Sequence, residues 1–370
     1  MPNNIVPEGF KDDVTNKVAT EHKYKNLIIE LFQSFGFKLI KTPLIEFLNT
    51  NFNHNVFNLK VKKNQKKLIV RNDITMQVAR LSNTRLLNKN RPLKLCYYGE
   101  VVRKQGSMLR PERQFLQIGA ECIGETSPLA DIEMMDLAYS ALSLVGIKNI
   151  VIEISSRVFL DKFFTQIKYK KNYNEIKKLI QLKDLMGILK ILDKEDTFYI
   201  KDIFSCTGDY RDKKNNLDSL IIDDITFNEI HNIKKIVRGF SKKNKKVKFF
   251  LDLCEVDDKN YHSGVRYTFF ANNVRGEVAK GGRYIIKSPN FENQATGFTC
   301  YMDTILRASS SVLIQKKILI PFETSETKIK NLLNKGYTIT KNLSNFKISK
   351  NLAKKQDCEF YLSNNSIKKI

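Results

Sequence analysis

Between Tyr98 and Gly124 the chain reads YGEVVRKQGSMLRPERQFLQIGAECIG, two strand-like runs around a polar, basic loop that holds Arg103, Lys104, Arg110 and Arg113. A hairpin of this length commits the chain to antiparallel pairing near its middle, which a doubly wound parallel sheet does not use. Gln117 and Glu121 stand four residues apart on the returning strand and so point to the same side of the sheet. An arginine, an amide and a carboxylate are thereby gathered, a set that can bind a small zwitterion such as an amino acid and help hold a phosphate. The plainer alternative is that Gln117 and Glu121 are hydrogen-bonded sheet residues.

The surrounding pattern mixes strands and helices. Residues 17–35 show Val18, Leu27, Ile28, Leu31, Phe32 and Phe35 at helical spacing, with Gly36 as a stop. A strand at Phe37–Ile40 ends at Pro43, a second covers 68–71, and Asp73 is placed to cap a helix running through Gln77 to Leu87. After the hairpin, a helix over about 128–145 leads into the β-type run NIVIEIS at 149–155. Residues 156–245 are lysine-rich and helical, with Leu179, Ile180, Leu182, Leu185, Ile188, Leu189, Ile191 and Leu192 as candidate core, and read as an insertion. Strand signals return at 247–253, 265–271 and 276–280, followed by a turn at Gly281-Gly282, and 295–312 reads as a strand passing into a helix. Residues 317–370 read as a small α/β unit. The fold class is α+β, an antiparallel sheet flanked by helices.

At 370 residues and 42% apolar content the chain can build a full core and more than one domain. No apolar run approaches the ~20 residues of a membrane span. The opening MPNNIVPEGFKDD has neither an apolar stretch nor a cleavage pattern, so no signal peptide is expected. Six cysteines lie far apart without a CxxC or clustered histidines, which argues against a metal site or a disulfide framework and for a reducing, cytoplasmic setting. The net charge of +24 has two readings. One is a nucleic-acid partner, and the other is a composition biased toward lysine with solvated faces; the scatter of the lysines, many beside asparagine, favours the second. A positive field also suits an acidic protein partner.

Six segments in order then resemble the class II histidyl-tRNA synthetase catalytic core over about residues 5–310. VPEGFKDD resembles that family's opening. GFKLIKTPLIEF resembles motif 1, with Pro43. VRNDITMQVAR resembles the substrate-binding segment, YYGEVVRKQ…RQFLQIGAECIG is motif 2, and YHSGVRYTFFA with AKGGRY resembles the two histidine-specific motifs; ATGFTCYMDTIL stands where motif 3 belongs. The resemblance implies a core over 1–315 and a C-terminal unit over 316–370 that is too short for a full anticodon-binding domain. It also implies contacts to histidine from Asp73, Thr75, Arg103, Gln117, Glu121, Tyr261 and Tyr284.

The departures bear on chemistry. Arg103 matches the arginine that grips the ATP α-phosphate, but Gln105 replaces the following glutamate, Thr304 stands for the arginine that stacks on adenine, and Asp257 stands for an arginine that helps activate histidine. A carboxylate where phosphate charge must be neutralised has the wrong sign, and stabilisation of that kind is worth several kcal/mol. Asp73 is one methylene shorter than the family's glutamate, and His262 replaces a tyrosine.

The same losses, with Asp73-Ile74-Thr75-Met76-Gln77-Val78-Ala79-Arg80, resemble the regulatory subunits of ATP phosphoribosyltransferase, synthetase paralogues without aminoacylation activity. That resemblance implies no catalytic residues and no cofactor or metal. It implies a homodimer within a hetero-oligomer with the short-form catalytic subunit, histidine as effector, and neither tRNA nor membrane as partner. The alternatives are a divergent histidyl-tRNA synthetase, or a histidine-sensing paralogue in another pathway.

Overall fold

The apolar runs assemble into three sheets in the computed structural model, which describes residues 5–370 except 15, 49–54, 61, 63–64, 168–171, 257–261, 289–290, 310–315, 345 and 365. By internal contacts the chain divides into Met1–Asp12 with Glu21–Ser311, and Asp13–Thr20 with Val312–Ile370.

Helix α1 (Asn16–Ser34) gives the first part its residues from Glu21 onward, of which Tyr24, Ile28 and Phe32 are buried. Gly36, at φ +83°, supplies the left-handed residue that ends it. Strand β1 (Lys38–Ile40) follows, then β2 (Ile45–Phe47), β3 (Phe57–Leu59) and β4 (Leu68–Val70), which pair as a small separate sheet in the order β2-β4-β3. Helix α2 (Thr75–Ser82) leads to the long hairpin β5 (Leu93–Val102) and β6 (Gln114–Ile123). Helix α3 (Pro128–Leu144) is started by Ser127, whose side chain accepts from the Leu129 N–H, with proline in its first turn. Strand β7 (Ile150–Ser156) precedes a helical stretch: α4 (Val158–Gln166), α5 (Tyr173–Gln181), α6 (Leu185–Ile191), α7 (Thr197–Ser205), the two-residue β8 (Gly208–Asp209), α8 (Tyr210–Lys213) and α9 (Asp224–Lys243). The chain then adds β9 (Lys248–Leu251), β10 (His262–Ala271), β11 (Glu277–Ser288), β12 (Phe291–Tyr301) and α10 (Met302–Ala308).

Nine of these strands form one sheet in the order β1-β5-β6-β12-β11-β10-β7-β9-β8. Only β1–β5 and β7–β9 are parallel pairs; every other pair is antiparallel. The period of two divides the sheet chemically. One face carries Ile118, Ala120, Ile152, Ile154, Tyr267, Phe269, Phe298 and Cys300, and these pack with α1, α3 and α9 into the main core. Each fully buried Ile or Phe there contributes about 1.5–3 kcal/mol. The opposite face is partly apolar, covered by Ile74, Val78 and Ala79 of the α2 region, and partly polar, and it carries the site described below.

The second part contains β13 (Lys316–Pro321), α11 (Glu326–Asn334), β14 (Tyr337–Asn342), α12 (Lys350–Lys355), β15 (Phe360–Ser363) and β16 (Ser366–Lys369), with sheet order β14-β13-β15-β16. Alternation along β13 sends Ile318 and Ile320 toward Leu332 of α11 and Leu319 toward Ala353 of α12, so helices cover both faces.

Several expectations need correction. Gly281 and Gly282 are not a turn but the middle of β11, which continues to Ser288. A Cβ on Gly281 would lie 2.5 Å from the Tyr267 ring and 2.3 Å from the Gly297 carbonyl oxygen, so close strand packing, not chain reversal, demands glycine there. The helix after Asp73 stops at Ser82, five residues short of Leu87, and the chain continues as turns from Asn83. Leu182, expected in the core, is 65% exposed at the C-cap of α5, and Val18 and Phe35 are also exposed. The strand expected at 68–71 is β4 (Leu68–Val70), whereas its three-residue partners β2 and β3 and the four-residue β16 are too short to be read from pattern alone. Among the described residues no helix is long and apolar enough to cross a membrane, and all six cysteines are free and buried.

Candidate functional site

Strand register places the polar face in rows. One row runs Leu95, Glu121, Gly297, Gly282, Arg266, Ser155 across six adjacent strands. The row two residues along runs Tyr97, Gly119, Thr299, Lys280, Thr268, Glu153, and on the other side lie Ile123, Ala295, Tyr284 and His262. Glu121 and Arg266 therefore face each other across two glycines. A Cβ on Gly297 would fall 1.7 Å from Glu121 Oε2, and one on Gly282 would meet the Arg266 Cα at 2.8 Å. The missing side chains leave a trough of about 160 Å³, lined among others by Asp73, Thr75, Arg103, Glu121, His262 and Lys280.

The acidic end is built around Glu121, 1% exposed. Tyr284 donates to its Oε2 at 2.9 Å and Tyr97 to its Oε1 at 3.3 Å. Tyr97 Oη is also 2.8 Å from Thr299 Oγ1 and 3.1 Å from Thr75 Oγ1. Burial pushes the Glu121 carboxyl up to about 8, with the Asp73 charge adding to the shift and the Tyr284, Thr75 and Tyr97 hydroxyls opposing it. Asp73 accepts from the Thr75 N–H at 2.8 Å and so fixes the turn into α2.

The opposite end is basic. Lys280 Nζ is 2.7 Å from Glu255 Oε1, and the buried Arg266 guanidinium is 2.5 Å from Glu255 Oε2. Ser155 Oγ donates to the same Glu255 oxygen at 2.8 Å. The two cations hold the Glu255 carboxyl down at about 2 against the effect of its burial. His262 Nδ1 lies 3.3 Å from the Arg283 carbonyl oxygen, and burial together with Arg266 and Lys280 pushes the imidazole down to about 3, so it is neutral at physiological pH.

Beyond the trough the loop of the β5–β6 hairpin folds back. Arg103 stacks on the Phe115 ring at 4.8 Å. Arg110, 3% exposed, lies 3.7 Å from the Tyr301 ring centroid and 5.1 Å from that of Phe115. It is tied to Asp303 Oδ2 at 3.2 Å, Glu277 Oε1 at 3.1 Å and Thr304 Oγ1 at 3.4 Å. This aromatic, charge-paired slot is filled by the chain's own guanidinium.

Of the residues singled out from the sequence, Asp73, Thr75, Arg103, Glu121 and Tyr284 line the trough together. Gln117 does not line it: it is fully buried, and its Oε1 accepts from the Ile74 N–H at 3.1 Å, so it anchors the start of α2. Its Nε2 is buried without a partner among the described residues. Tyr261 and Asp257 lie outside the described residues. Lys280, Thr299, Tyr301, Gly297 and Glu277 also line the trough, and Tyr97 backs it, without having been picked out. Lys280 and Gly297 lie in the AKGGRY and ATGFTC segments, which the motif resemblance marks, and the pairing register shows that these two positions face the trough.

A family model for histidyl-tRNA synthetase matches residues 9–305. The chain belongs to the histidyl-tRNA synthetase family. Within that family it is similar to proteins named ATP phosphoribosyltransferase regulatory subunit. One from Rhodospirillum centenum is 28% identical, with 90% of this chain and 88% of the relative aligned. One from Paramagnetospirillum magneticum is 25% identical over 99% and 98%. Among solved structures, one described as an ATP phosphoribosyltransferase regulatory subunit/histidyl-tRNA synthetase from Bacillus halodurans superposes with a TM-score of 0.79 at 21% identity, covering 96% of this chain and 97% of that one. Histidyl-tRNA synthetase from Nostoc gives 0.77 at 19% identity, with 98% and 91% covered. The fold is that of the class II synthetase core. At Thr304, where the family's motif 3 ends in arginine, the side chain is fully buried against Arg110.

Proposed function

We propose that the chain is a non-catalytic regulatory subunit of ATP phosphoribosyltransferase, the enzyme of the first step of histidine biosynthesis. It binds a short-form catalytic subunit as a homodimer within a hetero-oligomer, allows its activity and conveys inhibition by histidine. One observation supports the reading: an amino-acid-sized trough with an acidic and a basic end is present, while the place beside Thr304, where the resemblance puts the adenine-stacking arginine, is taken by Arg110 lying on the Tyr301 ring. Adenylation requires both, and so does aminoacylation. The names of the Rhodospirillum and Paramagnetospirillum relatives support the same conclusion. In this reading Asp73, Thr75, Glu121 and Tyr284 receive the α-ammonium and imidazole of histidine, Arg103 flanks the trough, and Gln117 acts from behind it by anchoring the start of α2. Feedback then requires only that histidine bind the less active assembly more tightly. A cytoplasmic setting follows from the pathway.

Mixing tests the proposal. Phosphoribosyl-ATP formation by a short-form catalytic subunit should depend on this chain and fall when histidine is added, while the chain alone shows no histidine-dependent ATP–pyrophosphate exchange. Exchange at synthetase-like rates, or failure to activate the catalytic subunit, would sink it. A second expectation concerns the trough floor. Gly297→Ala must displace the Glu121 carboxylate, so calorimetric titration should show histidine binding reduced at least about 30-fold, equivalent to the ~2 kcal/mol lost when a buried charged contact is broken. Unchanged binding would place histidine elsewhere.

A further inference from the structure

The register puts Lys280 on the strand two away from Glu121 and two residues along. Their backbones are therefore separated by roughly 12 Å, from a strand spacing of about 4.8 Å and a rise of about 3.4 Å per residue, and β12 between them presents Gly297 and Thr299. Both side chains reach over that floor into one trough. Glu255 is shared by two cations, Lys280 and the buried Arg266, so the cluster of three carries a net positive charge. His262, its imidazole pushed down first by burial and then by Arg266 and Lys280, lines the same trough.

We infer that Lys280, steadied by Glu255 and backed by Arg266, is the group that binds the ligand's carboxylate, across the glycine floor from Glu121. This assignment rests on reading the trough as an amino-acid site. It gives the recognised class as α-amino acids with a free carboxylate rather than amines of similar shape, because a carboxylate adds a charge-assisted hydrogen bond to a cation already held in place. Arg103 is the competing cation, but it stacks on Phe115 at the hairpin end of the trough, whereas Lys280 stands beside the glycine floor.

The test is calorimetry on the full chain with L-histidine and with histamine, which lacks the carboxylate. Wild type should bind L-histidine about 10- to 100-fold more tightly than histamine, the equivalent of one charge-assisted hydrogen bond. Lys280→Met should remove that difference by weakening histidine alone, Lys280→Arg should restore most of it, and the thermal midpoint should confirm that both variants fold. The inference is overturned if Lys280→Met keeps the histidine-to-histamine ratio, if it weakens both ligands equally, or if Arg103→Met abolishes the ratio instead. Absence of histidine binding to wild type would remove the amino-acid reading together with this one. Intact binding with an unchanged ratio in Lys280→Met removes only this one.

Discussion

Glu121→Ala should weaken histidine binding by about 30- to 1000-fold. The carboxylate lies at the end of the trough, with its two oxygens oriented by Tyr97 and Tyr284. Removing one partner of a buried charged contact costs about 2–4 kcal/mol. Burial holds this carboxyl near 8, so at neutral pH the free chain carries Glu121 mostly protonated. A nitrogen donor of the ligand, ammonium or imidazole, is held best by the ionised form, so histidine should expel a proton, and affinity should climb as pH rises from 7 toward 8. Calorimetry in buffers of different ionisation enthalpy measures the released proton directly. Glu121→Gln should flatten the pH dependence. A slope that survives this change would assign the proton to another group. The ligand-free stability runs the other way: because the folded pKa lies above the unfolded value, this group's contribution is complete below about 4.5 and is lost as pH rises through 8, at up to about 1.4 kcal/mol per pH unit. Chemical denaturation of wild type and Glu121→Gln at pH 6 and 9 should therefore show the glutamine variant gaining relative stability at the higher pH.

Arg110→Ala should destabilise the chain by about 3–5 kcal/mol, the usual cost of breaking a buried ion pair from one side. Two carboxylates depend on this guanidinium, and Asp303 is almost fully enclosed, with 5% of its side chain exposed. The stacking on Tyr301 and Phe115 would be lost as well. Lysine should rescue only part of the effect, since it offers neither the flat stacking surface nor a fork to two acids. Urea denaturation of Arg110→Ala and Arg110→Lys measures both. A loss below about 1 kcal/mol for alanine would mean that the slot is less tightly packed than the distances require. Opening it should not create adenylation, because Thr304 supplies no cation to stack on a base and Glu277 and Asp303 would repel a triphosphate.

The site was legible wherever chemistry travels along one strand. Glu121 follows from the period of two, and Arg103 from the basic loop that joins β5 to β6. Gln117 shows the limit: it shares the face of Glu121, yet its amide is taken up by the Ile74 N–H, a contact set by where α2 docks. Gly281-Gly282 shows the same limit in the backbone. Consecutive glycines are as compatible with a turn as with a strand, and only the Tyr267 ring against Gly281 and Arg266 against Gly282 decide between them. Lys280 lies inside the AKGGRY segment, but that motif does not say which of its side chains faces the trough, and the register of β11 against β12 decides it.

The sequence by itself determined the α+β class, the hairpin, the order of the motifs and the loss of the motif 3 arginine at Thr304, because alternation, turn residues and short motifs act within about a dozen neighbouring residues. Tertiary structure decided what those residues surround. Pairing between strands as distant in the chain as β6 and β12 sets Glu121 against Gly297, Gly282 and Arg266, and packing of the hairpin loop on α10 brings Arg110 to Asp303 and Thr304. Whether a polar face becomes a pocket, and whether an arginine binds a ligand or fills its place, depends on register and burial between segments that only the folded chain brings together.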